Sequence, residues 1–285
     1  MIYVTGDTHG KDIIGPFDGY MNRLSLGSFP EQNEMTKDDY VVILGDFGGV
    51  WQTSFESFDE HKEEKAGLDW LDKKPFTTLF VPGNHENYSR LTGMRYEDIL
   101  SSFLFKNMSD SEKERFRGGY PQKRWHGGTV REIRPSVLML EPGVFEIDGK
   151  KCFTYGGAQS HDIAGGVLNP TDYSEDEFAE AEKGCFRILG LSWWEEEQPD
   201  PDAEKAALDA LSSFDNMVDF VFTHTPPASV QAALGFSGRT RIDRFLEKIK
   251  QDVSYGHWFS GHLHVNTTMP GGKDHVLYEQ ILRVA

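Results

Sequence analysis

The stretch Val41-Val42-Ile43-Leu44-Gly45-Asp46-Phe47-Gly48-Gly49 passes from four apolar residues directly into a glycine and a carboxylate. A short apolar run bounded by turn residues reads as a buried strand. The aspartate then stands at the strand's carboxyl end, where open α/β sheets place their functional groups. The same pattern recurs four more times. Gly6-Asp7-Thr8-His9 follows the apolar residues 2–4, and Gly83-Asn84-His85-Glu86 follows residues 79–81. His224 follows residues 220–222, and Gly261-His262-Leu263-His264 follows Trp258 and Phe259. The five strand ends are expected to converge on one rim, gathering Asp7, His9, Asp46, Asn84, His85, His224, His262 and His264.

Those residue types suit a pair of divalent cations. Two close cations need a shared anion, and a carboxylate such as Asp46 has one oxygen for each. Imidazole and carboxylate suit Mn, Fe and Zn, and no cysteine occurs in any of the five motifs, which argues against a soft thiolate site. If His262-Leu263-His264 sits on a strand-like loop, both rings point to one side and Leu263 turns to the core. Glycines precede the ligands at 6, 45, 83 and 261, where a sharp turn or close backbone approach is cheapest without a Cβ.

The five motifs, in this order, closely resemble those of the calcineurin-like metallophosphoesterase superfamily, from residue 1 to about residue 268. The resemblance implies an α/β fold, a four-layered α-β-β-α sandwich of two mixed sheets with a dinuclear metal site at strand carboxyl ends. It implies a first metal held by Asp7, His9, Asp46 and His264. A second would be held by Asp46, Asn84, His224 and His262, with Asp46 bridging. His85 would lie beside the leaving-group oxygen and stabilise or protonate it. The implied reaction is attack on phosphorus by a hydroxide bridging two divalent ions (Mn, Fe or Zn, with Mn expected in assay).

One departure bears on the substrate. The protein-phosphatase branch reads Gly-Asp-x-x-Asp-Arg at the second motif, and its arginine grips the phosphate. Here Gly49-Val50 stands in that place, so the bidentate clamp of a guanidinium must come from elsewhere. Arg90 and Arg239 are the candidates. A small phosphate ester of nucleotide or phosphodiester type is therefore expected. A serine/threonine protein phosphatase, a nuclease and a non-catalytic scaffold are the alternatives. The scaffold predicts gaps among the ligands, and the chain has none.

The motifs span nearly all 285 residues, which favours one domain over 1–285. No stretch of about twenty apolar residues suggests a membrane span. The first strand starts at Ile2, leaving no room for a leader, so a cytoplasmic protein is expected. Cys152 and Cys185 are expected to be free thiols. A net charge of −17 disfavours long nucleic acid, although two divalent cations would locally reverse the sign at the site.

Helices are expected over residues 60–72, 96–105, 202–214 and 241–249, and strands over 137–140, 144–147 and 151–155. Asp148-Gly149 should turn a hairpin between the last two. Three long connections, about 87–134, 156–202 and 225–240, are the segments expected to choose the substrate. The second carries His161, a candidate phosphate contact, and Trp193-Trp194. Trp193 is a candidate base-stacking surface, set against the plainer expectation that Trp51, Trp193 and Trp194 anchor loops. Glu195-Glu196-Glu197 reads as a solvated face.

Overall fold

A computed structural model describes residues 1–10, 22–52, 57–59, 61–181 and 186–285. Its strands, in chain order, begin β1 (Ile2–Thr5), β2 (Tyr40–Leu44), β3 (Thr77–Val81), β4 (Gln122–Trp125) and β5 (Gly128–Arg134). They continue β6 (Val137–Leu140), β7 (Gly143–Ile147), β8 (Lys150–Tyr155), β9 (Val167–Leu168) and β10 (Arg187–Ile188). The last five are β11 (Met217–Thr223), β12 (Ser254–Ser260), β13 (Thr267–Thr268), β14 (Asp274–Val276) and β15 (Leu282–Arg283). One sheet has the order β15-β1-β2-β3-β6-β5-β4, a second β13-β14-β12-β11-β8-β7, and β9 and β10 form a small third. In the first sheet β1, β2, β3 and β6 are parallel, and in the second β8, β11, β12 and β14 are. Antiparallel strands close the flanks, so both large sheets are mixed.

The alternation of side chains along each strand builds the layers. Ile2, Val4, Val42, Leu44, Leu79 and Val81 point inward and meet Phe145, Cys152, Phe220, Phe222 and Phe259 of the second sheet. The intervening Tyr3, Val41, Ile43 and Phe80 face the other way, into a core closed by Leu68 and Leu71 of helix α1 (Lys62–Asp72). Four helices follow it: α2 (Tyr88–Leu91), α3 (Glu97–Leu100), α4 (Asp110–Gly118) and α5 (Glu175–Ala181). Helices α6 (Pro201–Ser212), α7 (Ala228–Ala233) and α8 (Arg241–Asp252) complete the set. On the outer face of the second sheet, Phe153, Val221 and Trp258 pack against Leu211 of α6 and Ile242, Phe245 and Ile249 of α8. The order is helix, sheet, sheet, helix, the sandwich that the motifs implied. No helix among the described residues is long and apolar enough to cross a membrane.

Several expectations need correction. The helix expected over 96–105 splits into α3 and a 3-10 turn, Phe103–Phe105. Ser102 Oγ donates to the Ile99 carbonyl at 2.7 Å, the local competition by which serine ends a helix. The connection 87–134 is less a loop than an outer layer, supplying α2 to α4 and the edge hairpin β4–β5. Glu197 is no solvated residue: it is 1% exposed. The hairpin turn at Asp148-Gly149 is as expected, with φ of 50° and 69°. Cys152 is a buried free thiol, and Cys185 lies outside the described residues.

Candidate metal centre

The parallel strands β1, β2 and β3 end together at one edge, and β11 and β12 end opposite them. Each of the five motifs starts there. The backbone is strapped across: the amides of Thr8 and His9 both donate to the Asp46 carbonyl, at 3.1 and 2.7 Å. Four residues of the cluster adopt left-handed backbone conformations, with φ of 48° at His9, 43° at Asp46, 67° at His262 and 52° at His264. Such conformations are uncommon outside glycine and cost of order 1–3 kcal/mol each, persisting where the surroundings enforce them. Gly83 shows why its position has no side chain. A Cβ there would lie 2.1 Å from Asp46 Oδ1.

Seven side chains converge. His264 Nε2 lies 3.3 Å from Asp7 Oδ2 and 3.0 Å from His9 Nε2, and His9 Nε2 lies 3.7 Å from Asp46 Oδ2. On the other side His224 Nε2 lies 3.3 Å from Asp46 Oδ1 and 3.1 Å from Asn84 Oδ1. Its Nδ1 sits 2.8 Å from the Leu44 carbonyl, a bond that fixes which nitrogen faces the cluster. The His262 ring lies 4.9 Å, centre to centre, from that of His224, and the His262 amide donates to both Asp7 oxygens at 3.1 and 3.0 Å. His85 donates its backbone N–H to Asp46 Oδ1 at 2.8 Å. Among the described residues, two groups have the spacing of metal ligands: Asp7, His9 and His264, and Asp7, Asp46 and His224.

The electrostatics call for positive charge. Asp7 and Asp46 are 1% and 2% exposed, and buried carboxylates need paired charge. Burial works against a charged His224, yet Asp46 and Asp7 push its pKa up to about 9. For His262, burial and then the neighbouring His224 drive the pKa well below the ordinary imidazole range. Burial lowers His85 as well, and Arg187 adds to that effect against the opposing Asp46. Oxygen and imidazole donors around two buried carboxylates fit divalent cations of the Mn, Fe and Zn kind.

Several supporting residues were given no role at the site from the sequence. Glu86, fully buried, accepts from the amides of Phe47 and Gly48 at 2.7 and 3.3 Å, tying the third motif to the second. Burial, followed by the charge of Asp46, pushes its pKa up to about 8. Arg23 donates to the carbonyls of Gly6, Asp7 and Tyr278 and to Thr5 Oγ1, bracing the first motif. Buried Glu197 accepts from Ser160 N and Oγ at 2.8 and 2.5 Å. Ser160 Oγ in turn accepts from Asn84 Nδ2 at 3.4 Å, which leaves the Asn84 oxygen facing His224.

The residues proposed to touch substrate fall in different places. His161 reaches the cluster, its Nε2 3.2 Å from His262 Nε2. Arg90 is 1% exposed; its guanidinium pairs with Glu64 at 2.6 Å and donates to the Gln52 carbonyl. It braces the chain after the second motif. Arg239 is exposed before α8, and no hydrogen bond or ion pair among the described residues joins it to the cluster. Trp193 is half-buried, while Trp194 is fully packed and donates to Ser89 Oγ at 2.7 Å. Trp51 lies between Trp194 and His85, with ring centres 6.1 and 6.0 Å away.

Residues 1–266 match the calcineurin-like phosphoesterase family, and the chain belongs to it. It is accordingly a metal-dependent phosphoester hydrolase. Among solved structures it is similar to the crystal structure of the phosphopantetheinyl hydrolase from Mycobacterium tuberculosis. The two are 14% identical over 98% of this chain and 89% of that one, with a TM-score of 0.35. No curated protein matches the chain.

Proposed function

We propose that residues 1–285 form one catalytic unit that hydrolyses a small phosphate ester, of nucleotide or phosphodiester type, with two divalent cations. The observation that carries this reading is the convergence of seven oxygen and imidazole donors, two of them buried carboxylates, from five strand ends. Asp7, His9, Asp46 and His264 would hold one cation, and Asp46, Asn84, His224 and His262 the other, with Asp46 shared. Mn²⁺ is the metal of choice for assay. When bound, the cations supply a Lewis-acid clamp and a water acidic enough to attack phosphorus near neutral pH.

The chain's own groups do the rest. Asp46 is held at Oδ1 by the His85 amide and the His224 ring, with the His9 ring near Oδ2. His85, whose pKa burial lowers, places a ring beside the His9 side of the cluster, 5.4 Å between centres. From there it donates a hydrogen bond to the leaving-group oxygen. The preference for a small ester over a phosphoprotein is supported at Val50, which is fully buried in the helix-side core. That position contributes no cation to the rim.

The test is elemental analysis of purified protein, followed by a side-by-side assay of phosphopeptides, mononucleotides, cyclic nucleotides and bis-nitrophenyl phosphate with Mn²⁺. The reading expects two metals per chain and a higher kcat/KM for the small esters. Phosphopeptides ranking first would overturn the substrate class.

A further inference from the structure

The connection between β8 and α6 brings His161 to the cluster and carries two further polar residues linked to it. His161 stacks on His262 at an interplanar angle of 28°. The next residue, Asp162, forms an ion pair with the guanidinium of Arg187. Arg187 lies on β10, whose pairing with β9 and whose backbone N–H bond to the Gly166 carbonyl at 3.1 Å fix the main chain. Its side chain is a quarter exposed, and its charge registers on His85. The guanidinium is thus tied through Asp162 to the segment whose His161 stacks on His262.

Among the described residues, two other arginines of the body are committed elsewhere. Arg90 is buried against Glu64. Arg23 braces the carbonyls of the first motif. Val50 occupies the place of the clamp in the second motif, inside the core. Arg187 differs from them in being partly open and held by one carboxylate.

We propose that Arg187, presented by β10 and positioned by Asp162, grips the non-bridging oxygens of the substrate's phosphoryl group and selects a terminal phosphate over an internal diester linkage. This rests on the phosphoesterase reading above. A guanidinium binds a phosphate through two parallel N–H donors. A monoester dianion offers it more charge and one more non-bridging oxygen than a diester does, so the monoester gains more from the contact. The ion pair with Asp162 keeps the fork oriented, and its partial exposure lets a dianion compete for it.

Arg187→Ala and Arg187→Lys would be compared with the parent protein, all loaded with Mn²⁺. Inorganic phosphate would be titrated calorimetrically, metal content measured, and KM determined for nitrophenyl phosphate and bis-nitrophenyl phosphate. Arg187→Ala should keep two metals per chain, bind phosphate roughly ten- to a hundredfold more weakly, and raise the monoester KM by a similar factor. The diester KM should move less. Arg187→Lys should recover only part of the loss, because an ammonium has no fork, and it serves as the test if the alanine variant does not fold. Phosphate affinity within twofold of the parent in a metal-loaded variant overturns the proposal. A parent that turns over neither ester refutes the phosphoesterase reading, and the phosphate titration still decides the role of Arg187.

Discussion

Asp46 is held from three directions: by the His85 amide and the His224 ring at Oδ1, and by the His9 ring near Oδ2. Asp46→Asn would put an NH2 group where one of these donors points and remove the carboxylate charge proposed to bridge the two cations. Turnover should fall below detection, and metal content should drop below two per chain; near-normal turnover with full metal would make the bridging assignment wrong. His85 should behave differently, since its side chain stands at the edge of the cluster. His85→Ala should keep its metals while kcat falls by roughly 10²–10⁴, the range of general acid–base assistance. The loss should shrink for nitrophenol leaving groups, and loss of a metal would instead place His85 among the ligands. The eight motif residues were legible because each ends an apolar run, a local pattern. Arg187 and Ser160 carry no such mark: they gain meaning only once a distant loop folds over the rim.

At the scale of elements, the turns matter as much as the strands. Gly83 lets the third motif pass so close to Asp46 that a methyl group would collide with Oδ1. Gly83→Ala should leave the far-ultraviolet circular dichroism unchanged and weaken Mn²⁺ binding, read by titration; a variant that binds metal like the parent would show that the turn yields. The strands ahead of the motifs and helices α1, α6 and α8 lie where the sequence led one to expect them. Glu195-Glu196-Glu197 misled, because consecutive acids normally face water. Glu197 turns inward since Ser160, 37 positions away, supplies two donors to its carboxylate. A buried acid is chosen by its partners, and partners so remote are invisible in a window of sequence.

Over the whole molecule, the negative charge and the two buried carboxylates make the folded state depend on cations. A ligand at a hundred times its Kd that binds only the folded chain adds about 2.7 kcal/mol per site. Chelation of the metal-loaded protein should therefore lower Tm by several degrees, and added Mn²⁺ should restore it. Equal midpoints with and without chelator, in differential scanning fluorimetry, would count against a metal centre coupled to the fold.

The rings of His9 and His264 touch at 3.0 Å although they lie 255 positions apart. A ribosome adding about 5–20 residues per second needs roughly ten to fifty seconds to travel between them. During that interval the nascent chain carries Asp7, His9 and Asp46 as half a chelate, with no imidazoles from β11 and β12 to complete it. Contacts this distant in sequence also form slowly. The full ligand set thus comes together only late in synthesis, when the last motif docks.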